Sequence, residues 1–371
     1  MGGAGTRWAW AEVDLDAIAH NVGVLRRAAA PAAVWAVVKA DAYGHGLLPV
    51  ARTAIRAGCE GLCVALTSEG VALRDAGVDA PILVLSEQPP EDAAAIVSHR
   101  LPPTVSTADG IDALAAQRDR GVDVHLKIDT GMHRVGAAPA DARRLAERVD
   151  AAGPWLRLAG IFTHLAIADE PDDPYTAEQL ARFDEVLAAL PTVPVTHAAN
   201  SAAALAHPHA RRSLVRAGIA VYGISPGPGV DHLCGELRAA MALKARVSFV
   251  KRVGAGARIS YGLRHTFAGE TTVATLPIGY ADGVRRGLSG AGVVLIGGRR
   301  RPITGVVTMD QLMVDCGNDP VRPGDEAVLI GAQGVERITA EDWAGLLGTI
   351  GYEVVCGISG RVPRRYHGEH A

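Results

Sequence analysis

Residues Val37–Gly46 read VVKADAYGHG, in which an apolar strand is followed at once by a lysine and then by a polar loop containing glycine. A lysine amine that is desolvated at the end of a buried strand loses its proton readily and can hold a carbonyl compound as an imine. Lys39 is therefore a candidate Schiff-base amine. Taken alone, a lysine in this position more often only reaches solvent, so the assignment depends on the rest of the chain.

Outward from this segment, short apolar runs alternate with amphipathic stretches between about residues 34 and 224. This alternation is typical of βα units, and eight units in about 190 residues predict a (β/α)8 barrel of the TIM type. A doubly wound sheet is the alternative, but no Gly-x-Gly-x-x-Gly turn follows an early strand. The predicted strands are Val34–Lys39, Gly61–Leu66, Pro81–Ser86, Pro103–Ser106, Val122–Asp129, Leu158–His164, Val195–Ala199 and Ser213–Ile219, and the predicted helices between them include Leu48–Ala57, Glu91–Val97, Asp109–Arg118, Ala140–Ala151 and Ala177–Ala189.

After Gly235 the pattern changes to β-branched runs separated by Gly, Pro and Asp. Such runs predict a mostly β C-terminal domain, with one late helix near Ala340–Leu347. Trp8–Leu15 also alternates like a strand. We divide the chain into an N-terminal strand over residues 1–14, a barrel over 15–238 and a β-rich domain over 239–371. The predicted strands of that last domain are Ala242–Val253, Thr272–Pro277, Gly292–Ile296, Ile303–Met309, Leu312–Cys316 and Glu326–Ile330.

Composition excludes several classes of protein. The net charge is −3 and the charges are mixed along the chain, so neither nucleic acid nor an anionic membrane is an expected partner. Five scattered cysteines argue against a disulfide framework and for a reducing compartment, and none has the spacing of a metal site. Residues 1–6 lack an apolar signal segment, and no apolar run is long enough to span a bilayer. We expect a cytoplasmic protein without a bound metal.

Polar residues at the ends of the predicted barrel strands mark the site, because barrel enzymes build their active sites there. His164 ends the sixth strand and Arg216 lies in the eighth. An arginine in an apolar strand needs a partner, and a structural ion pair is the simplest one. The loops after the seventh and eighth strands commonly bind phosphate through backbone N–H groups. The residues in those loops are Asn200, Ser201, Gly218 and Ile219.

The string AVVKADAYGHG over residues 36–46 resembles the cofactor-lysine motif of alanine racemases, and further matches extend from about residue 8 to 366. The resemblance implies pyridoxal 5'-phosphate (PLP) held as an imine on Lys39. It implies that Tyr43 joins Ser201, Gly218 and Ile219 at the cofactor phosphate. It also implies that the leading strand pairs with the C-terminal domain.

Inverting an α-carbon requires one group to remove the proton and another to supply it on the opposite face. The resemblance gives these roles to Lys39 and to Tyr261, which in the family reaches the barrel of the partner subunit. A homodimer with shared active sites is therefore implied. By the same resemblance Arg216 faces the pyridine nitrogen, and a guanidinium does not give up its proton to it. Decarboxylases on similar barrels place a carboxylate there, so Arg216 favours a racemase.

The remaining site residues also come from the resemblance. Arg134, in DTGMHRVG over residues 129–136, matches the residue that binds the substrate carboxylate, a role that suits the planar guanidinium. Lys127 matches a lysine that family members carry as a carbamate, and Met309 matches a residue whose backbone N–H contacts substrate. The access channel is matched by Asp169, Tyr280 and Arg286.

The resemblance is incomplete at the channel, where Gly360 precedes Arg361-Val362-Pro363-Arg364 and many family members have a tyrosine. We hypothesise that the lost bulk admits substrates beyond alanine, such as serine. The sequence thus predicts racemisation of L- and D-alanine by two bases, supplying D-alanine for cell-wall synthesis. The alternatives are a racemase of another or a broader range of amino acids, and a non-catalytic PLP-binding protein. The latter needs neither the β domain nor Tyr261.

Overall fold

The computed structural model describes residues 7–369, so the sequence interpretation of residues 1–6 lies outside it. The chain divides into two compact units. One is Ala17–Arg238, and the other joins the described residues up to Asp16 with those from Ala239 onward. No helix in the described range is long and apolar enough to cross a membrane. The second unit begins with strand β1 (Ala9–Asp14).

The unit Ala17–Arg238 is a closed barrel of eight parallel strands, which confirms the predicted fold. Two four-stranded sheets run in the orders β4-β3-β2-β9 and β5-β6-β7-β8. A parallel bridge between Val84 and Pro103 joins them on one side. On the other side the Ser213 amide donates to the Thr196 carbonyl (3.0 Å). The strands are β2 (Ala33–Val37), β3 (Gly61–Val64), β4 (Ile82–Val84), β5 (Thr104–Val105), β6 (Val122–Lys127), β7 (Leu156–Phe162), β8 (Val195–His197) and β9 (Leu214–Ala217).

All eight predicted barrel strands are present, but each ends earlier than predicted. Every residue of β3, β4 and β9 is buried, as expected for parallel strands covered by helices. Lys39 and His164, which were predicted to end strands, instead follow β2 and β7: Lys39 begins the short left-handed turn Lys39–Tyr43, and His164 lies in a loop. The helices of this unit are α1 (Leu15–Ala29), α2 (Leu47–Arg56), α3 (Thr67–Asp75), α4 (Ala93–Ser98), α5 (Ala108–Ala115), α6 (Ala142–Ala151), α7 (Tyr175–Ala188) and α8 (Ser201–Ala206).

Helix α3 carries Gly70 in its middle, although glycine opposes helix formation. Tertiary packing requires the glycine. A Cβ at Gly70 would lie 2.8 Å from a methyl group of Leu101. The Glu69 carboxylate begins the helix by accepting from the amides of Ala65 (2.8 Å) and Leu66 (3.1 Å).

The second unit is mostly β, as predicted. Its large sheet has the strand order β11-β14-β17-β16-β15-β18-β10-β1-β20. The leading strand β1 runs antiparallel to β10 and parallel to β20. The elements are β10 (Met241–Arg246), β11 (Phe249–Val253), β12 (Arg258–Ile259), β13 (His265–Thr266), β14 (Thr271–Leu276), β15 (Val293–Ile296), β16 (Arg299–Thr304), β17 (Leu312–Asp315), β18 (Glu326–Gln333), β19 (Glu336–Ile338), β20 (Arg364–His367), α9 (Ala340–Leu347) and α10 (Gly351–Cys356).

Two strand predictions in this unit were wrong in their bounds. Ala242–Val253 is two strands, β10 and β11, which pair with different neighbours. Ile303–Met309 is not a strand throughout, because β16 ends at Thr304 and the chain turns at Gly305 with a φ of +70°. A side chain at Gly305 would also lie 2.7 Å from the Cβ of Ser260. The residues after Gly305 therefore form a loop, and this loop carries Met309.

Candidate active site

Lys39 lies just after β2 and opens an unusual turn. Residues Ala40, Asp41, Ala42 and Tyr43 all have a φ of 53°, in the left-handed region that costs a non-glycine residue about 1–2 kcal/mol. Hydrogen bonds from the surroundings hold this turn. The Ala40 amide donates to the Glu69 carboxylate (2.6 Å), and the Leu47 amide donates to the Asp41 carboxylate (2.7 Å). Lys39 and Tyr43 are thus placed at the two ends of one rigid turn.

The turn brings Tyr43 to the loops after β8 and β9. The Ser201 hydroxyl accepts from the amide of Gly218 (2.8 Å) and from that of Ala220 (3.4 Å). A Cβ at Gly218 would lie 2.7 Å from the Tyr43 hydroxyl and 3.9 Å from the Ser201 hydroxyl. The structure therefore brings together the four residues that the resemblance assigns to the cofactor phosphate, Tyr43, Ser201, Gly218 and the buried Ile219. We call these four residues the phosphate cup, after the role that the resemblance to alanine racemases implies for them.

Asn200, rather than Ser201, is the N-cap of α8. Its side-chain oxygen accepts from the Ala203 amide at 3.0 Å. The Ser201 hydroxyl is consequently not occupied in capping the helix and is directed to the amides of the cup. Ser201 is therefore not the capping residue of this helix.

Arg216 is buried in β9 without a carboxylate partner among residues 7–369. The structural ion pair that the sequence suggested for it is therefore wrong. Its guanidinium donates to the carbonyls of Thr163 and Ala198, both at 2.9 Å. It also donates to Nδ1 of His197 (2.6 Å) and Nδ1 of His164 (3.2 Å). Burial lowers the pKa of Arg216 to about 10, which leaves it charged at neutral pH. The site therefore keeps a fixed cation with no counter-anion of its own.

Three neutral imidazoles surround this cation. Those of His197 and His164 accept from the guanidinium, and that of His125 bonds to His197. Burial first, and the Arg216 charge second, hold the pKa values of His164 and His197 well below the usual range. Because a guanidinium has no acceptor, Nδ1 of His197 must accept and its Nε2–H must donate to Nδ1 of His125 (2.9 Å). Burial lowers the pKa of His125 to about 4. The sequence analysis missed His197, which lies in the middle of the predicted strand Val195–Ala199 and is distinguished there only by its imidazole.

Lys127 and Arg134 add positive charge to the same mouth. Lys127 is 6% exposed at the end of β6, and burial, reinforced by the charges of Arg216 and Arg134, lowers its pKa to about 8. Arg134 is exposed in the following loop. That loop is closed by the Asp129 carboxylate, which accepts from the amides of Gly131 and His133, both at 3.0 Å. Such a concentration of cations suits a phosphorylated cofactor and a substrate carboxylate.

The remaining barrel residue of the predicted site, Asp169, is half-buried in the loop after β7. The backbone at Gly227 lies directly over it, since a Cβ there would be 2.5 Å from the Asp169 carboxylate. Among the described residues, no group of three or more His, Cys, Asp or Glu side chains is arranged to hold a metal ion.

Four predicted site residues lie in the second unit and are exposed. Tyr261 is 74% exposed in a turn between β12 and β13, which the buried Ile259 and Phe267 anchor. Met309 is 52% and Tyr280 is 42% exposed. Backbone hydrogen bonds tie the segments of these two together, because the Tyr280 amide donates to the Thr308 carbonyl (2.9 Å) and the Ala281 amide to that of Met309 (3.0 Å). Arg286 opens an exposed 3₁₀ turn.

Comparison with known proteins gives one consistent result. Residues 13–226 match the family described as alanine racemase, N-terminal domain, and residues 240–366 match alanine racemase, C-terminal domain. The alanine racemase of Symbiobacterium thermophilum is 50% identical over 99% of both chains, and that of Thermobifida fusca is 45% identical over 97% of this chain and 98% of its own. The crystal structure of alanine racemase from D-cycloserine producing Streptomyces lavendulae superimposes with a TM-score of 0.93 at 40% identity, covering 98% of each chain. The Bacillus anthracis enzyme with bound L-Ala-P gives 0.93 at 37% identity, covering 100% of this chain and 97% of that one.

Proposed function

The chain belongs to the alanine racemase family, and from this premise we propose that it interconverts L- and D-alanine with PLP bound through Lys39. The family consists of PLP-dependent isomerases whose general role is to supply D-alanine for the cell wall. The observation that carries the proposal is the cation-rich barrel mouth, where Lys39 opens a rigid turn near a buried Arg216 that has no carboxylate partner within residues 7–369.

The residues present fit the cofactor. The phosphate cup offers the Tyr43 and Ser201 hydroxyls beside the Gly218 amide, and the space at Gly218 admits no side chain. Ser201, Gly218, Ile219 and Tyr43 would hold the phosphate, with Asn200 and His164 beside the cofactor. When bound, PLP makes the α-proton of the substrate amine acidic.

Arg216 selects racemisation over related reactions. Its guanidinium would donate a hydrogen bond to the pyridine nitrogen but keep its proton, because its pKa of about 10 remains far above neutrality. An unprotonated ring nitrogen would draw less negative charge away from the α-carbon, which would favour rapid return of the proton there. A decarboxylase would need a carboxylate at this position.

Two groups exchange the proton. The Lys39 amine serves one face of the α-carbon, and the Tyr261 phenol serves the other. Tyr261 is 74% exposed in its own unit, so its side chain is accessible to a second chain. We therefore propose a homodimer in which Tyr261 of one subunit completes the site of its partner. Arg134 would bind the substrate carboxylate with help from the Met309 amide, and Asp169, Tyr280 and Arg286 would line the access channel.

Lys127 would carry a carbamate beside Arg134. A carbamate forms from a neutral amine and carbon dioxide, and a pKa of about 8 makes the neutral amine available near physiological pH. The added negative charge would offset the cations around it and orient Arg134. We also propose that the protein works in the cytoplasm, where D-alanine is used to build cell-wall precursors.

A broader substrate range is the second candidate, supported by Gly360. This residue is exposed, and a Cβ built on it would have no atom within 4 Å. Space for a side chain therefore stands open at the position where many relatives carry a tyrosine. Turnover of serine at a tenth of the alanine rate or better would support this candidate, and strict alanine activity would reject it.

The test is α-proton exchange in heavy water, followed by NMR with a panel of L-amino acids and by chiral analysis of the products. We expect fast loss of the alanine α-proton signal with D-alanine appearing. Lys39→Ala is the matched control and should abolish both. A protein that binds PLP but exchanges no amino acid would favour the non-catalytic alternative.

A further inference from the structure

We propose that Gln179 of α7 is a positioning residue that fixes Arg134 for the substrate carboxylate by tying together two loops of the barrel mouth. One is the Arg134 loop, residues 129–136, and the other is the His164 loop, residues 163–169. The proposal rests on the role of Arg134 given above. Gln179 is 0% exposed, and a buried amide must find partners for its donors and acceptor.

Gln179 bonds to both loops. Its side-chain oxygen accepts from the Ala166 amide (2.8 Å). Its side-chain nitrogen donates to the His164 carbonyl (3.2 Å) and, in a longer bond, to the Thr130 hydroxyl (3.5 Å). The Thr130 hydroxyl lies in turn 2.8 Å from that of Thr163. One amide therefore links the start of the Arg134 loop to the backbone of the His164 loop.

The same face of α7 makes two further contacts with the Arg134 loop. Tyr175, Gln179 and Arg182 are spaced i, i+4 and i+7, so they line one side of the helix. The Tyr175 hydroxyl donates to the Gly131 carbonyl (2.8 Å), and Arg182 donates to the Thr130 carbonyl (3.0 Å). The Arg182 guanidinium also packs 5.4 Å from the Tyr175 ring centre.

Gly131 shows how closely the loop is held. Its φ is +139°, and a Cβ there would collide with the Tyr175 hydroxyl. Arg134 follows three residues later, in the turn that Asp129 closes. With its backbone carbonyls fixed at Thr130 and Gly131, this loop has little freedom to shift. A displacement near 1 Å at a substrate-binding group costs up to about a hundredfold in rate, so such fixation is functionally significant.

A purely structural role would stabilise the fold without affecting substrate binding. Gln88 provides the matched control. It too is a glutamine that links two neighbouring βα loops, donating to the carbonyls of Ala65 (3.1 Å) and Ser86 (2.9 Å) and accepting from the Thr67 amide (3.2 Å). Neither of its loops carries a proposed site residue. Gln179→Met and Gln88→Met remove the same chemical group at nearly constant volume.

The experiment compares the two variants as PLP-loaded enzyme. We expect Gln179→Met to raise the KM for alanine and the Ki of propionate, a carboxylate of similar size, by about tenfold, with kcat within threefold of wild type. Gln88→Met should lower Tm comparably but leave KM and Ki within twofold. Equal effects of the two variants on KM and Ki would overturn the proposal. Tyr175→Phe, a milder change, should raise both constants about threefold and covers the case in which Gln179→Met does not fold.

A double-mutant cycle separates this proposal from the function on which it rests. If Gln179 acts through Arg134, its replacement should raise the Ki of propionate by less than twofold in the Arg134→Ala background. A tenfold further rise would show that Gln179 acts elsewhere, and the proposal would fail. If Arg134→Ala itself leaves KM and Ki unchanged while wild-type enzyme racemises alanine, the role of Arg134 is wrong. If wild-type enzyme does not racemise alanine, the proposed function fails first.

Discussion

The barrel mouth and the exposed turn of Tyr261 place their functional groups in opposite ways. In the mouth, Arg216 is 3% exposed and donates to four acceptors, and its imidazole partners are held neutral by burial. Tyr261 is 74% exposed and depends on a short hairpin anchored by two buried side chains. The mouth is organised within one chain, whereas the role proposed for Tyr261 requires a second chain. Changes in the mouth should therefore affect both stability and chemistry, and changes at Tyr261 should affect chemistry alone.

The largest effect is expected for Tyr261→Phe. Racemisation should fall about a thousandfold, within the usual range for loss of a general acid or base. Tm and PLP affinity should stay near wild-type values because the side chain is exposed. The enantiomer whose proton Lys39 removes should still exchange in heavy water without inversion. Leu263→Ala, in the same turn, controls for disturbance of the hairpin, and equal loss of exchange from both enantiomers would contradict the assignment.

Arg216→Lys tests the prediction that a change in the barrel mouth affects both stability and chemistry. A lysine has no planar fork and cannot reach four acceptors arranged around a guanidinium, so we expect kcat to fall about a hundredfold and Tm to drop by several degrees. Steady-state kinetics and thermal denaturation measure the two effects. Arg211→Lys is the control, because Arg211 also donates to backbone carbonyls, at 3.0 Å and 3.4 Å, outside the mouth. If Arg216→Lys keeps the wild-type kcat, the proposed difference between the barrel mouth and the turn of Tyr261 is wrong.

Gly218→Ala should weaken PLP binding about tenfold, or 1.4 kcal/mol. The new Cβ would lie 2.7 Å from the Tyr43 hydroxyl and push it out of the phosphate cup. Equilibrium dialysis of PLP measures the change. Gly235→Ala, where a Cβ has no atom within 4 Å, should leave the affinity unaltered. An unchanged affinity in Gly218→Ala would show that the cup does not hold the cofactor.

The smallest effect concerns Lys127. Its pKa is lowered from 10.5 to about 8, so the neutral amine is the minority form at pH 7 and the majority form at pH 9. At a fixed concentration of dissolved carbon dioxide, carbamylation should therefore lower the KM for alanine by about twofold to threefold, with faster onset as the pH rises through 8. Lys127→Ala should not respond. A response of the same size in that variant would place the effect of carbon dioxide elsewhere.

The sequence predicted the barrel strands well because their apolar runs are buried on both faces and little else explains such runs. It did not predict the left-handed turn after Lys39. Ala40, Asp41, Ala42 and Tyr43 contain no glycine, and their backbone is held by local hydrogen bonds together with one to the distant carboxylate of Glu69. Local propensity carries no information about a conformation that the surroundings impose.

Two residues of the candidate site were missed for a related reason. His197 gains its role from Arg216 on the neighbouring strand, and Gln179 from two loops that precede its helix. The helix containing Gln179 was predicted, as Ala177–Ala189, without attention to a polar residue on its buried face. The glutamine on that buried face was the one available signal, because a buried side-chain amide needs hydrogen-bond partners from other parts of the chain.

The pairing of β2 with β9 has a consequence for how the protein is made. These are the first and last strands of the barrel, and they set Trp35 beside Arg216 and Ala36 beside Ala217. Lys39 thus belongs to the part of the barrel that leaves the ribosome first, and Arg216 with the phosphate cup to the part that leaves last. If these residues hold the cofactor as proposed, a nascent chain should bind it firmly only after nearly the whole barrel has emerged and closed. Bound PLP would therefore mark chains whose barrel is complete, and chains terminated before Leu214 should stay colourless.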